Sequence, residues 1–172
     1  MTGDRKFVLE SSRLDLVLES TESVLARIDA LSPADRAEVS HDWVERMRSS
    51  APSPWTHGFA IIERASGAPI GGCAYKGPPN AEGVVEIAYG IDAPFRGRGY
   101  AKEAAATLVE YANQAGVRLV CAHTRPENGA SARVLESCGF ECLGEVMDAE
   151  DGLVWRWERA GRARAGLESP NV

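Results

Sequence analysis

The spacing of apolar positions switches repeatedly along the chain between the period of a strand and that of a helix. Apolar residues at Phe7 to Leu9 and Leu14 to Leu18, ahead of a Ser/Thr-rich stretch, predict a first strand running to about Val17. Val24, Leu25, Ile28 and Leu31 then recur at helical spacing. Ser32-Pro33-Ala34-Asp35 predicts the start of a second helix, with Ser32 as N-cap, Pro33 in the first position and Asp35 near the positive end. Val39, Trp43 and Met47 form its expected buried stripe, and Pro52 and Pro54 end the helical section. From Phe59 the period becomes two: FAIIER and PIGGCAYK, joined at Ser66-Gly67, predict an antiparallel hairpin, and VVEIAYGI a third strand of the group. A helix follows from about Gly99 to Ala115, with Ala101, Ala104, Ala105, Leu108, Ala112 and Ala115 on one face and Gly116 closing it. RLVCAHT reads as a strand and Pro126 to Cys138 as a helix; Gly139-Phe140 starts another strand, and ECLGEVM and LVWRWE form a closing hairpin around Asp148 to Gly152. This order predicts one mixed α/β domain over residues 1–160, with residues 161–172 an expected disordered tail.

Composition narrows the class. With 44% apolar residues in 172 and no segment near 20 apolar residues, a single soluble domain is expected and a membrane span is not. The opening MTGDRKFVLESSR lacks the apolar core of a secretion signal, so a cytoplasmic address is expected. Cys73, Cys121, Cys138 and Cys142 show no CxxC pairing, and three histidines complete no metal-ligand pattern; the cysteines are read as buried reduced thiols, with no metal expected. A net charge of −6 with scattered arginines argues against a nucleic-acid surface and mildly favours a cationic or amine partner.

The stretch PFRGRGYAKEAA puts two glycines and two arginines directly before the helix. A helix N-terminus presents unpaired N–H groups and a positive dipole end, glycines let the backbone approach an anion, and Arg96 and Arg98 add charge; the combination suits a diphosphate. The spacing does not match GxxxxGK followed by Ser or Thr, and a dinucleotide fingerprint would need a glycine where Lys102 stands. Arg96-Gly97-Arg98-Gly99-Tyr100-Ala101 instead resembles the Q/R-x-x-G-x-G/A loop of the GNAT superfamily of acetyl-CoA-dependent N-acetyltransferases. AHTRPENGASARVLESCGF is similar to the family's second signature, and LESSRLDLVL resembles the opening of its RimJ/RimL-like, ribosomal-protein alanine acetyltransferase branch. The resemblance spans about Leu9 to Glu158. It implies a central, mostly antiparallel sheet of six or seven strands, splayed between Glu86 to Ile91 and Arg118 to Thr124, with about four helices. It implies acetyl-CoA as co-substrate, its diphosphate on Arg96 to Ala101, and its pantetheine arm against Ile91 and Asn128.

Acetyl transfer to an amine needs a base, a polarised carbonyl and a proton for the departing thiolate. Strand alternation sets Glu86 with Val84 and Ala88, opposite Val85, Ile87 and Tyr89, where half-burial favours a base. The resemblance also assigns a base to that strand position. His123 is the other candidate, five residues before Asn128, where one ribosomal-protein branch of the family places a catalytic glutamate. Many members use a helix tyrosine for the thiolate; Leu135 stands there, which leaves Ser131, on the same helix face as Asn128 and where the resemblance to the RimL-like branch implies a serine meeting the coenzyme A sulfur. Backbone N–H groups near Tyr89 and Ile91 are expected to polarise the carbonyl. Trp55 is an acceptor-side candidate, and Trp155 and Trp157 are read as core or homodimer-face aromatics. The expected partner is a primary amine, on a small molecule or a protein N-terminus. Alternatives are another acyl-CoA, a hydroxyl acceptor, or an acyl-CoA-binding sensor without turnover.

Overall fold

A computed structural model of the protein describes residues 6–162; the tail expected to be disordered lies, from residue 163 on, outside the described residues. In chain order the elements are β1 (Val8–Glu10), β2 (Leu14–Leu18), α1 (Thr21–Asp29), α2 (Pro33–Ala37), α3 (His41–Arg48), β3 (Phe59–Glu63), β4 (Pro69–Tyr75) and β5 (Val84–Ile91). A 3-10 turn at Ala93–Phe95 leads to α4 (Tyr100–Gln114), then β6 (Leu119–Thr124), α5 (Gly129–Ser137), β7 (Glu141–Asp148) and β8 (Gly152–Ala160). The fold is mixed α/β, as the resemblance implied, with eight strands and five helices among the described residues.

Local chemistry explains the two extra elements. The Ser11 N–H donates to the Leu14 carbonyl at 2.9 Å and folds the chain back, so the expected first strand is a hairpin with Val8 opposite Val17. The helix that begins after Ser32 stops at Ala37, and Ser40 caps a new one by accepting the Trp43 N–H at 3.3 Å. Val39 therefore lies between two short helices, half-buried, and only Met47 of the expected stripe is fully buried. Asn128 caps α5, so that helix begins at Gly129 rather than at Pro126.

The strand order is β1-β2-β3-β4-β5-β6-β8-β7, and every neighbouring pair is antiparallel except β5 and β6. That parallel pair is joined only at Val84↔Leu119, Val85↔Val120 and Glu86↔Cys121. Beyond Glu86 the strands part, while β4 holds β5 as far as Ile91 and β8 holds β6 as far as Thr124. The sheet thus opens as a wedge between two hydrogen-bonded halves. Across it α4 buries Ala104, Ala105, Leu108 and Ala112 completely, in one core with Leu16, Ile61, Val85, Ile87 and Val120. Alanines on this face let the helix lie close to the sheet, and the Tyr75 hydroxyl bonds the Leu108 carbonyl across the contact. No helix among the described residues is long and apolar enough to cross a membrane.

Candidate active site

Two cavities occupy the wedge. The larger, about 590 Å³, lies along Ile91, the 96–101 loop and α5; the smaller, about 240 Å³, lies between Glu86 on β5 and His123 on β6. Tyr89, Asn128 and Ser131 line both, so the cavities meet at those side chains.

The larger cavity ends on a bare helix terminus. Ser20, Ser32, Ser40 and Asn128 each cap their helix through a side chain, but the residue before α4 is Gly99, which has none, and the first N–H groups of α4 have no side-chain cap among the described residues. Gly97 (φ +77°) and Gly99 (φ +82°) both hold left-handed backbone, and these turns shape the loop. Arg96, Gly97, Gly99, Tyr100 and Ala101 line the cavity, with Ile91 and Asn128 further along it. Arg96 Nε also donates to the Ile91 carbonyl at 2.8 Å, which ties the loop to the end of β5. Arg98 does not line the cavity: its guanidinium lies 6.0 Å from the Phe95 ring centroid. Lys102 and Arg133 line it as well, cations the sequence reading did not single out. Lys102 was visible in the motif; Arg133, one turn into α5, carried no sequence signal. Open N–H groups, two glycines in left-handed turns and three cationic side chains fit the diphosphate and arm of acetyl-CoA.

The smaller cavity brings Glu86 and His123 together. His123 Nδ1 lies 2.8 Å from Glu86 Oε1, and Lys76 Nζ lies 3.0 Å from the same oxygen. A carboxylate only accepts, so Nδ1 carries a proton, and in the neutral ring the lone pair is then on Nε2. Among the described residues Nε2 has no partner, yet every buried polar side-chain atom there has one; Nε2 is therefore open to the cavity. Glu86 is not a free carboxylate on an apolar face, as the alternation suggested: it is the shared anion of a lysine and an imidazole. Burial works against the Lys76 ammonium, but Glu86, with Asp151 at 3.9 Å, outweighs that and holds its pKa above the ordinary lysine value. Asp151 and Arg125 complete the polar rim, and Arg125 has no ion-pair partner among the described residues.

At the junction the Ser131 hydroxyl lies 3.2 Å from the Tyr89 hydroxyl. Leu135 is fully buried and offers no phenol, but β5 delivers one from the opposite wall. Burial pushes the Tyr89 phenol upward in pKa, against the lowering by Ser131, so it holds its proton at neutral pH. Alternation sets Tyr89 with the buried Val85 and Ile87 on the face of β5 opposite Glu86; the strands part beside it, and its side chain lines the cavity. Asn128 Oδ1 accepts the Ser131 N–H at 3.1 Å and so fixes the start of α5 beside the junction.

Other candidates lie elsewhere. Trp55 packs 4.7 Å from Tyr75 and 5.5 Å from Tyr111 between ring centroids and lines neither cavity. Trp157 is buried and donates to Thr124 Oγ1 at 2.9 Å. His57 is buried between the hydroxyls of Thr21 and Thr56. Cys73, Cys121 and Cys138 are buried, and burial raises the Cys121 thiol to about 11; Cys142 is exposed, contrary to expectation, on β7, the outermost strand among the described residues.

Comparison with known proteins shows the family and the fold. The sequence profile of the Acetyltransferase (GNAT) domain matches residues 12–141. The chain is 25% identical over 121 residues to the uncharacterized N-acetyltransferase p20 of Bacillus licheniformis, covering 70% of this chain and 68% of that protein. Its fold is similar to that of the ribosomal-protein acetyltransferase RimL in complex with coenzyme A (TM-score 0.68, 18% identity, 90% of this chain and 98% of that one). A ribosomal-protein alanine acetyltransferase from Vibrio fischeri is also similar in fold (TM-score 0.66, 15% identity, 90% and 97% of the two chains).

Proposed function

The chain belongs to the GNAT family of acetyl-CoA-dependent acetyltransferases, and we propose that it acetylates a primary amine, on a small molecule or a protein N-terminus, by direct attack within a ternary complex. The observation that carries this reading is the meeting of the two cavities at Tyr89, Asn128 and Ser131, with an open imidazole nitrogen on one side and an open helix N-terminus on the other. Acetyl-CoA supplies the activated acetyl thioester. The 96–101 loop, with Arg96, Lys102 and Arg133, holds the diphosphate, and Ile91 and Asn128 hold the arm.

His123 Nε2 takes the proton that the amine loses as its nitrogen bonds the acetyl carbon. Glu86 holds Nδ1–H, keeps the ring in the reactive tautomer and offsets the positive charge that forms. As the carbon–sulfur bond breaks, Ser131 hydrogen-bonds the sulfur and passes it a proton, replenished by the Tyr89 phenol 3.2 Å behind it. The proton on His123 returns to solvent, and the Tyr89 phenolate takes one back from solvent, which restores both groups. Release of free thiol from acetyl-CoA across a panel of amines and amino-terminal peptides tests the proposal. Amine-dependent thiol release with acetylated product supports it; tight acetyl-CoA binding without turnover on any amine would favour a sensor.

A further inference from the structure

The β1–β2 turn reaches across to the start of α4. The Arg13 N–H donates to Glu103 Oε1 at 2.7 Å, its Nε to Oε2 at 2.8 Å, and its Nη1 to the Arg98 carbonyl at 3.0 Å. Ser11 Oγ adds a bond to Glu103 Oε1 at 2.7 Å, and the Arg13 guanidinium lies 4.6 Å over the Tyr100 ring. Arg13 lines neither cavity, so none of this is direct ligand binding.

We propose that Arg13 is a positioning residue for the anion loop: it sets the direction of the Gly99 N–H and neutralises the carboxylate one turn inside α4. The proposal rests on the acetyl-CoA reading above. In a trans peptide the C=O and the next N–H point in opposite directions. Holding the Arg98 carbonyl on Arg13 therefore turns the Gly99 N–H the other way, and Gly99 lines the cavity. The loop needs such a hold. Gly97 and Gly99 leave the intervening peptide easy to rotate, and α4 has no side-chain cap to fix it. A rotated peptide would present a carbonyl oxygen to the diphosphate in place of a donor. Glu103 matters for a second reason: a carboxylate in the first turn satisfies the helix dipole that the anion also uses. Arg13 occupies both its oxygens. Lysine cannot replace it, since one ammonium does not span a carboxylate and a carbonyl as the guanidinium fork does.

The test compares wild type, Arg13→Lys and Arg13→Ala with two donors, one of which lacks the diphosphate. By calorimetry, Arg13→Ala should weaken coenzyme A binding about ten- to a hundredfold, the scale of a lost charge-assisted hydrogen bond, with Arg13→Lys in between. The backbone NMR order parameter at Gly99 in the ligand-free protein should fall. Acetyl transfer from S-acetylpantetheine should stay within about twofold of wild type in both variants, which also reports that they are folded. Unchanged coenzyme A affinity in Arg13→Ala overturns the proposal, as does an equal loss with both donors, the mark of a general structural defect. Failure of the wild type itself to bind coenzyme A would instead overturn the acetyl-CoA reading, and this inference with it.

Discussion

Replacing the two partners of the imidazole–carboxylate pair one at a time separates a base from the group that supports it. His123→Gln removes the nitrogen proposed to take the proton, and loss of a general base costs about 10²- to 10⁴-fold in rate. Glu86→Gln leaves an oxygen that can still accept from Nδ1–H and removes only the charge. An imidazolium and a carboxylate with charge centres roughly 4 Å apart attract by about 4 kcal/mol at an effective dielectric constant of about 20. Lys76 Nζ, 3.0 Å from the same oxygen, already answers part of that charge. What remains is of the order of a charge-assisted hydrogen bond, about 1.5–3 kcal/mol, so the rate should fall roughly 10- to 150-fold. Single-turnover acetyl transfer at saturating acetyl-CoA is the assay, because product release can hide the chemical step. Calorimetry should show coenzyme A affinity near wild type in both variants, since neither residue lines the larger cavity. The reasoning fails if Glu86→Gln is the more damaging change and His123→Gln stays active, for then Glu86 is the base and His123 its support.

The remaining predictions concern the other parts of the wedge. Ser131→Ala and Tyr89→Phe should each slow single-turnover transfer, and the double variant should lose less than the product of the two because they act as one relay; fully multiplicative losses would separate them. Leu135→Tyr should lower stability by about 1–3 kcal/mol in thermal unfolding, since Leu135 is fully buried. Gly97→Asp should abolish coenzyme A binding by placing an anion at the loop, while Gly97→Ala, which meets no atom within 4 Å but must hold φ +77°, should cost about 1–2 kcal/mol in stability. For Glu103, burial opposes ionisation, but the Ser11 hydroxyl and the Arg13 amide and guanidinium outweigh it and hold its pKa below the ordinary 4.5. The stability this contributes is present above that value and is lost as pH falls through the lower folded pKa. Urea unfolding should therefore show Glu103→Gln destabilised at pH 7 and close to wild type well below pH 4.5; an equal difference at both would refute the linkage.

Much of this architecture was legible along the chain. Alternation in VVEIAYGI and the alanine face of α4 report the backbone state directly, because strand and helix periods follow from chirality and near neighbours. The glycine turn before α4 was legible for the same reason: left-handed backbone and a bare helix end are local properties. Element limits set by side-chain hydrogen bonds were read less well, as at Ser11 and Ser40, where a single hydroxyl decides whether the chain turns. Two hairpins and, through the resemblance, the splay beside Glu86 were expected, but which charges meet across the sheet was not legible. Lys76 reaches Glu86 because β4 and β5 are neighbours, and His123 reaches it because the last β5–β6 pair is Glu86↔Cys121, two residues earlier. Arg13 and Glu103 meet across 90 positions of sequence, and the Tyr89 side chain becomes a cavity wall because two strands part beside it. Local pattern specifies which backbone each segment adopts; strand order and register bring distant charges within 3 Å of one another, and an electrostatic site exists only once that distance is set.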